Sequence, residues 1–196
     1  YSNLGGILQD LGKLQEAEIC TRKAIELNPK DSIAFSNLGG ILNDFEKLKE
    51  AETFTRKAIE LKPNFANAYS NLGSIFRKLD KLSEAETYTR KAIELNPNFA
   101  EAHANLGGIL RELGKQKEAE TFTRKAIELN PNFANAYSNL GIILYELGKF
   151  KESKDFSCKA IELNPNFAKA YYSLSKIKPL KSEKNWEEYL FTEDIL

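Results

Sequence analysis

Three things are missing from this sequence of 196 residues: a net charge, an apolar run of membrane-spanning length, and methionine. Its 28 basic side chains are balanced by 28 acidic ones, which argues against a nucleic-acid partner because non-specific binding needs a net basic surface. Without a long apolar run or a signal peptide, no membrane partner is predicted. Because a natural N-terminus would supply methionine, and Tyr1 falls partway through a repeated helix, we expect an internal fragment.

Residues with catalytic or metal-binding chemistry are also scarce. Cys20 and Cys158 are too few and too far apart for a disulfide framework or a zinc site, and this usage favours a reducing, cytoplasmic compartment. Cys20 and the single histidine, His103, each stand where other copies of a repeat carry an aromatic residue, so we expect both to be buried. The Gly-Gly pairs lie within predicted helices, unlike a phosphate-binding loop. The sequence therefore predicts no cofactor and no enzyme activity.

What the sequence does contain is a recurring phrase. The copy at residues 130–141 returns at 62–73 and 96–107, and more loosely at 28–39 and 164–175. Its prolines are 34 residues apart, at Pro29, Pro63, Pro97, Pro131 and Pro165. Self-similarity at this period is typical of stacked supersecondary units rather than one closed core.

Each copy predicts a hairpin of two helices. One stripe of the first helix is formed by Tyr69, Leu72, Gly73 and Phe76, and one stripe of the second by Leu48, Ala51, Phe54, Ala58 and Leu61 in another copy. Because glycine within a helix costs up to about 1 kcal/mol relative to alanine, its recurrence predicts a close helix crossing.

The turn between the two helices holds a glycine, such as Gly114 or Gly148, that can end the first helix in the left-handed conformation. Two copies have Glu46 and Asp80 instead. We expect those turns to be strained or differently closed.

Seven residues resemble the tetratricopeptide repeat signature in their order and spacing. They are Tyr69, Leu72, Gly73, Phe76, Ala85, Ala92 and Pro97. The resemblance covers residues 1–178, as five units and the first helix of a sixth. It implies an all-α, right-handed superhelical solenoid of antiparallel hairpins. One departure is consistent, since the position before the last alanine, often aromatic in the family, here holds Thr21, Thr55, Thr89, Thr123 or Ser157.

The last copy breaks the pattern, because Ser175 replaces the glycine and Pro179 cuts the helix short. Trp186, Tyr189 and Phe191 then place apolar bulk on one side of a short helix. Since a terminal repeat must cover the exposed end of a stack, residues 179–196 are predicted to be a C-terminal capping segment. The alternative is that they dock onto another molecule.

Helical phase predicts a row of asparagines along the open face. At about 100° per residue, Asn71 lies roughly opposite the buried stripe, and its equivalents are Asn3, Asn37, Asn105 and Asn139. An amide offers a donor and an acceptor, as a peptide backbone does, and small residues one turn on, such as Gly40 and Gly108, leave room for an extended chain. The row resembles the asparagine ladder in the tetratricopeptide domain of O-linked N-acetylglucosamine transferase, which implies peptide binding. The alternative is that each asparagine hydrogen-bonds the neighbouring hairpin.

Residues that vary between copies lie beside this row and would set selectivity. One row is mainly acidic and favours a ligand with basic side chains; it holds Asp10, Asp44, Lys78, Glu112 and Glu146. Arg77 and Arg111, in a second row, form one basic spot, and a third row includes Glu101 and Lys169. Such charges are equally typical of ordinary solvated helix positions.

The sequence thus predicts a non-catalytic protein–protein interaction module that binds extended peptide segments in a concave groove. One alternative is a substrate-recruiting arm of a larger sulfotransferase-like or glycosyltransferase protein, which is implied by similarity to repeat regions fused to such domains. Another is a structural scaffold whose groove binds nothing. The apolar end of the first hairpin also predicts end-to-end self-association.

Overall fold

The structure, a computed structural model, describes residues 1–166 and 168–176. These residues form α-helices and no strand: α1 (Ser2–Asp10), α2 (Leu14–Leu27), α3 (Ser32–Asp44), α4 (Leu48–Leu61), α5 (Ala66–Lys78), α6 (Leu82–Leu95), α7 (Ala100–Glu112), α8 (Gln116–Leu129), α9 (Ala134–Glu146), α10 (Phe150–Leu163) and α11 (Ala168–Lys176). Consecutive helices pair into hairpins 1 (α1–α2) to 5 (α9–α10), and α11 packs against hairpin 5. The predicted all-α solenoid of antiparallel hairpins is confirmed.

The stack has an inner and an outer row of helices. Each odd-numbered helix, here called an inner helix, contacts the inner helix of the next hairpin. The even-numbered outer helices are more widely spaced: their backbones do not approach one another in the described part of the chain, and long side chains such as Arg90 and Glu118 bridge them. Because the row with the closer spacing lies on the inside of a curve, the inner helices line the concave face, here called the groove.

The core runs along the stack, between the hairpins and within them. Leu38, Leu72 and Ile109 are fully buried, and so are the outer-helix alanines Ala51 and Ala85. The stripes predicted from helical spacing therefore face this core, and each hairpin covers the apolar flank of the next.

The recurring glycine marks a close helix crossing, as predicted. A Cβ atom built on Gly73 would lie 2.0 Å from Oγ1 of Thr89, on the outer helix of the same hairpin. That hydroxyl is buried and donates a hydrogen bond to the carbonyl of Ala85 over 2.8 Å. The threonine that departs from the family signature therefore packs directly on the glycine.

The turns without glycine close in the same way as those with it. Glu46 and Asp80 both have a φ of 59°, close to the 76° of Gly114. Lys47 N donates to the carbonyl of Leu42, as Lys115 N does to Leu110. Of the two expectations for these turns, strain is the one that holds, because a left-handed conformation costs a residue with a side chain about 1 kcal/mol; the expectation of a different closure is wrong.

Two other expectations have different outcomes. His103 is packed as predicted, since it is 6% exposed, stacks on Phe122, and lies with Nε2 2.9 Å from the carbonyl oxygen of Pro97. Cys20 is half-exposed rather than buried, and its aromatic equivalents Phe54, Tyr88 and Phe122 are half-buried too. The predicted capping segment, residues 179–196, lies outside the described residues.

Candidate functional site

The asparagine row lies along the groove side of the inner helices. Asn37, Asn71, Asn105 and Asn139 are half-buried, whereas Asn3, in the first hairpin, is exposed. Every inner helix packs against its neighbours through the same apolar stripe. The asparagines therefore project from the inner helices in the same direction. The phase predicted from the sequence is therefore the phase that the structure has.

Most of these amides are fixed by the preceding hairpin. Nδ2 of Asn37 donates to the carbonyl of Ser2 over 3.0 Å, and Nδ2 of Asn71 donates to the carbonyl of Ser36 over 3.0 Å. Asn105 makes a longer bond, 3.4 Å, to the hydroxyl of Ser70. The stacking alternative from the sequence thus accounts for one N–H of Asn37 and one of Asn105, and Nδ2 of Asn71 donates a second bond to the hydroxyl of Ser36 over 3.3 Å. Asn37 and Asn105 keep a second N–H, and the Oδ1 atom of all three amides has no partner among the described residues.

The room predicted beside the row is only partly open. A Cβ on Gly6 would approach Asn37 Nδ2 to 3.5 Å, an ordinary contact distance. At Gly108, the guanidinium of Arg77 already occupies the space, 2.8 Å from such a Cβ. The space is therefore open beside Gly6, whereas side chains of the protein crowd it at Gly40, where Gln9 Nε2 would lie 3.2 Å from a Cβ, and at Gly108.

The charged residues beside the row pair between adjacent hairpins. Arg77 Nε donates to both carboxylate oxygens of Glu112, at 3.0 and 3.1 Å. Arg111 pairs with Glu146 in the next hairpin at 3.0 Å. The predicted basic spot is therefore matched by acidic partners, and its charge is largely balanced within the groove wall.

Two other members of these rows, Asp44 and Lys78, have uncharged partners. Gln9 Nε2 donates to Asp44 over 2.7 Å, and Lys78 Nζ donates to the carbonyl of Asn43 over 2.6 Å. Neither Asp44 nor Lys78 therefore has an ion pair among the described residues.

The environment shifts the pKa values of two groove carboxylates in opposite directions. Burial acts to raise the pKa of Glu112, but the hydrogen bonds and charges of Arg77 and Arg111 outweigh it and lower that pKa below its ordinary value. Desolvation raises the pKa of Glu101, and the negative charge of Asp10 raises it further. Because Asp10 lies on α1 and Glu101 on α7, this interaction runs across the curve of the groove.

No described residues form a metal centre, since no cluster of three or more histidine, cysteine, aspartate or glutamate side chains is placed to hold an ion. Among the helices that the structure describes, none is both long enough and apolar enough to cross a bilayer.

Family models of the tetratricopeptide repeat match nearly the whole described chain. Models described as tetratricopeptide repeat match residues 1–31, 34–65, 66–99, 88–121 and 134–167, and one described as TPR repeat matches residues 107–148. No curated protein sequence matches the chain.

Several solved structures resemble it. YrrB, described as a TPR protein with an unusual peptide-binding site, is 26% identical with a TM-score of 0.61, over 89% of this chain and 90% of that one. MamA is 26% identical with a TM-score of 0.63, over 86% and 99%. A thermophilic TPR protein of Thermus thermophilus, 22% identical over 88% and 95% with a TM-score of 0.77, shows the fold alone. These relatives support a protein-interaction module. With the hairpin stack, its period and the family models in agreement, the chain belongs to the tetratricopeptide repeat family.

Proposed function

We propose that the chain is a non-catalytic binding module that holds an extended peptide segment in its groove through the asparagine row. The observation that carries this proposal is the arrangement of Asn37, Asn71 and Asn105: each is half-buried, its orientation fixed by a bond from Nδ2, and its Oδ1 left without a protein partner. A side chain held in place before binding loses less conformational entropy when a ligand arrives.

The chemistry of the free amide atoms suits a peptide backbone. Each amide keeps its Oδ1 acceptor, Asn37 and Asn105 also keep an N–H donor, and a backbone residue offers one donor and one acceptor in return. The description of YrrB as having a peptide-binding site supports the same class of ligand. The tetratricopeptide repeat family is a scaffold family, which supports the non-catalytic part of the proposal.

Energetics limit what the row does alone. Five amides at about 1 kcal/mol net each supply about 5 kcal/mol, against an association cost of about 4–15 kcal/mol. Selectivity and further affinity must come from neighbouring side chains. Asp44 and Lys78 are the candidates, because their charges are not already balanced by an ion pair.

A peptide-array screen at low salt tests the proposal. The unchanged protein is compared with the variant that carries Asn37→Ala, Asn71→Ala and Asn105→Ala together. Both proteins are screened at a temperature far below that at which either unfolds. We expect the triple variant to lose most bound peptides. The matched control carries three alanines at exposed outer-helix positions, Thr53→Ala, Thr87→Ala and Thr121→Ala, and should bind as the unchanged protein does.

A further variant separates binding from stacking. Asn139 makes no hydrogen bond to another described residue, so Asn139→Ala removes a groove amide without removing a bond between hairpins. We expect weaker peptide binding at an unchanged unfolding temperature. Retention of the same peptides by both the triple variant and Asn139→Ala would show that the asparagine row is not the binding site.

A further inference from the structure

Side chains at the ends of the inner helices are cross-linked by one recurring pattern. The next-to-last residue of an inner helix donates a hydrogen bond to the last residue of the following inner helix. The pairs are Gln9 with Asp44, Arg77 with Glu112, and Arg111 with Glu146. Two of these three pairs are ion pairs, so the wall of the groove in hairpins 3 to 5 is largely balanced in charge.

The step from hairpin 2 to hairpin 3 departs from this pattern. The donor position holds Asn43 and the acceptor position holds Lys78, and the direction is reversed, because Lys78 Nζ donates to the carbonyl of Asn43 over 2.6 Å. Among helices α1 to α9, α5 is the inner helix that ends in a cation, whereas the others end in a carboxylate. An ammonium group has three donors, so two N–H groups of Lys78 have no partner among the described residues.

Asp44, at the end of the neighbouring inner helix, carries the opposite charge. One of its oxygens accepts a hydrogen bond from the uncharged Gln9, and the other has no partner in the part of the chain that the structure describes. Asp44 and Lys78 are both exposed, and they form no ion pair with each other. The groove therefore presents a negative and a positive charge on successive inner helices, both accessible to a ligand.

A serine beside Lys78 adds a further donor. Ser74 lies one turn before Lys78 on the same side of α5, at a position that is glycine in α1, α3 and α7. Its hydroxyl accepts a hydrogen bond from Nδ2 of the buried Asn43 over 3.2 Å, and it donates to no described residue. Together with the free N–H groups of Lys78, this hydroxyl can bind both oxygens of a carboxylate.

The spacing of the inner helices limits the conformation of a ligand that reaches both charges. Packed neighbouring helices are about 8–10 Å apart. A polyproline II chain rises about 3.1 Å per residue with three residues per turn, so its residues i and i+3 lie on the same side about 9 Å apart. Its backbone makes no internal hydrogen bonds, so its N–H and C=O groups are free for the asparagine row. In a β-strand, residues i and i+3 point to opposite faces.

We propose that the groove selects a polyproline II peptide that carries a basic and an acidic residue three positions apart. The basic side chain pairs with Asp44, and the acidic side chain binds Lys78 and Ser74. This selection rests on the proposed function, because the backbone of the peptide must lie along the asparagine row.

Acidic residues beyond Asp44 favour the same order of charges. Asp10 ends the preceding inner helix and has no ion pair among the described residues. Desolvation raises the pKa of Glu101, and the charge of Asp10 raises it further, which places these two carboxylates within electrostatic reach of each other. The side of Lys78 toward hairpin 1 is therefore negative, and it attracts the basic residue of the ligand and repels the acidic one.

Short synthetic peptides with blocked ends, built from proline, alanine and threonine, test this selection by fluorescence anisotropy. One peptide carries Lys-x-x-Glu and another Glu-x-x-Lys, because the order that binds also gives the direction of the ligand chain. We expect one order to bind about fivefold more tightly than the other, as two exposed ion pairs together allow. Peptides with Lys-x-Glu or Glu-x-Lys control for spacing and should bind as weakly as the disfavoured order.

An exchange of the two protein charges provides the matched variant. Asp44→Lys combined with Lys78→Asp leaves the net charge and the asparagine row unchanged, and it should reverse the preferred order by the same factor. The control exchanges an exposed ion pair on the outer helix α4, Lys57→Glu with Glu60→Lys, and should keep the original preference.

A single substitution keeps the test independent of how well the exchanged variant folds. In Lys78→Gln, replacing the glutamate of the preferred peptide by glutamine should no longer weaken binding, whereas replacing its lysine still should. Equal binding of both orders and both spacings, or a preference that the charge exchange does not reverse, overturns the selection but leaves the proposed function standing. Unchanged peptide binding by the triple asparagine variant would count against the proposed function instead.

Discussion

At the scale of single residues, the contact between Gly73 and Thr89 is a tight constraint that recurs along the stack, as between Gly39 and Thr55. Gly73→Ala should destabilise the protein by about 1–3 kcal/mol, because the added methyl group overlaps a buried hydroxyl that a hydrogen bond holds in place. This expected loss is opposite in sign to the helix propensity, which favours alanine over glycine by up to about 1 kcal/mol. Urea unfolding monitored by circular dichroism measures the effect.

Two companion variants identify the cause of that loss. Gly73→Ala combined with Thr89→Ala should recover most of the stability, since the second change removes the overlapping hydroxyl. Gly6→Ala should be neutral or stabilising, because its Cβ would meet only Asn37 Nδ2 at 3.5 Å. Equal unfolding midpoints for Gly73→Ala and Gly6→Ala would contradict the steric explanation.

At the scale of helices, ion pairs join the outer helices α2, α6 and α8 to the next hairpin on the convex side. Glu86 accepts hydrogen bonds from Arg90 within its helix and from Lys115 in the following turn. Burial acts to raise the pKa of Glu86, but these hydrogen bonds and the two positive charges outweigh it, so the pKa is lowered. Glu18 and Glu120 have the same arrangement and the same direction of shift.

This network predicts a loss of stability in acid. Because the folded pKa of Glu86 is lowered, its ionised form stabilises the folded state above the ordinary glutamate pKa of about 4.3, and that contribution is lost as the pH falls through the folded value. Glu86→Gln should therefore cost roughly 1 kcal/mol at pH 7, as exposed networks of this kind do, and little at low pH. Thermal unfolding at a series of pH values measures the difference.

An exposed pair within one helix provides the control for the acid prediction. Lys91 and Glu94 pair at 2.7 Å on α6, and the Glu94 side chain is largely exposed. Glu94→Gln should change stability little at any pH, because such pairs contribute only tenths of a kcal/mol. A Glu86→Gln variant that loses the same stability at low and neutral pH would show that the network is not the cause.

At the scale of the whole molecule, the sequence predicts the hairpins well but not the contacts between them. The proline period and the stripe around Leu72 are local, and they specify the unit. The pairing of Arg77 with Glu112 depends on the distance between hairpins, which helical phase alone does not give. The sequence does contain one signal for these contacts between hairpins. The Arg77–Glu112 pair and the Asn71–Ser36 hydrogen bond both join residues that are 35 positions apart, one more than the repeat period. Comparison at that offset predicts such contacts in a repeat of this kind.

The stack also predicts that the same substitution has different costs at its end and at its centre, because each hairpin contacts only its neighbours. Leu72 is fully buried and Leu4 is 45% exposed, although both occupy the same repeat position. Leu72→Ala should cost about 2–5 kcal/mol, and Leu4→Ala less than about 1 kcal/mol. Urea unfolding of both variants measures the two costs. Equal losses of stability for Leu72→Ala and Leu4→Ala would contradict the nearest-neighbour description of the stack.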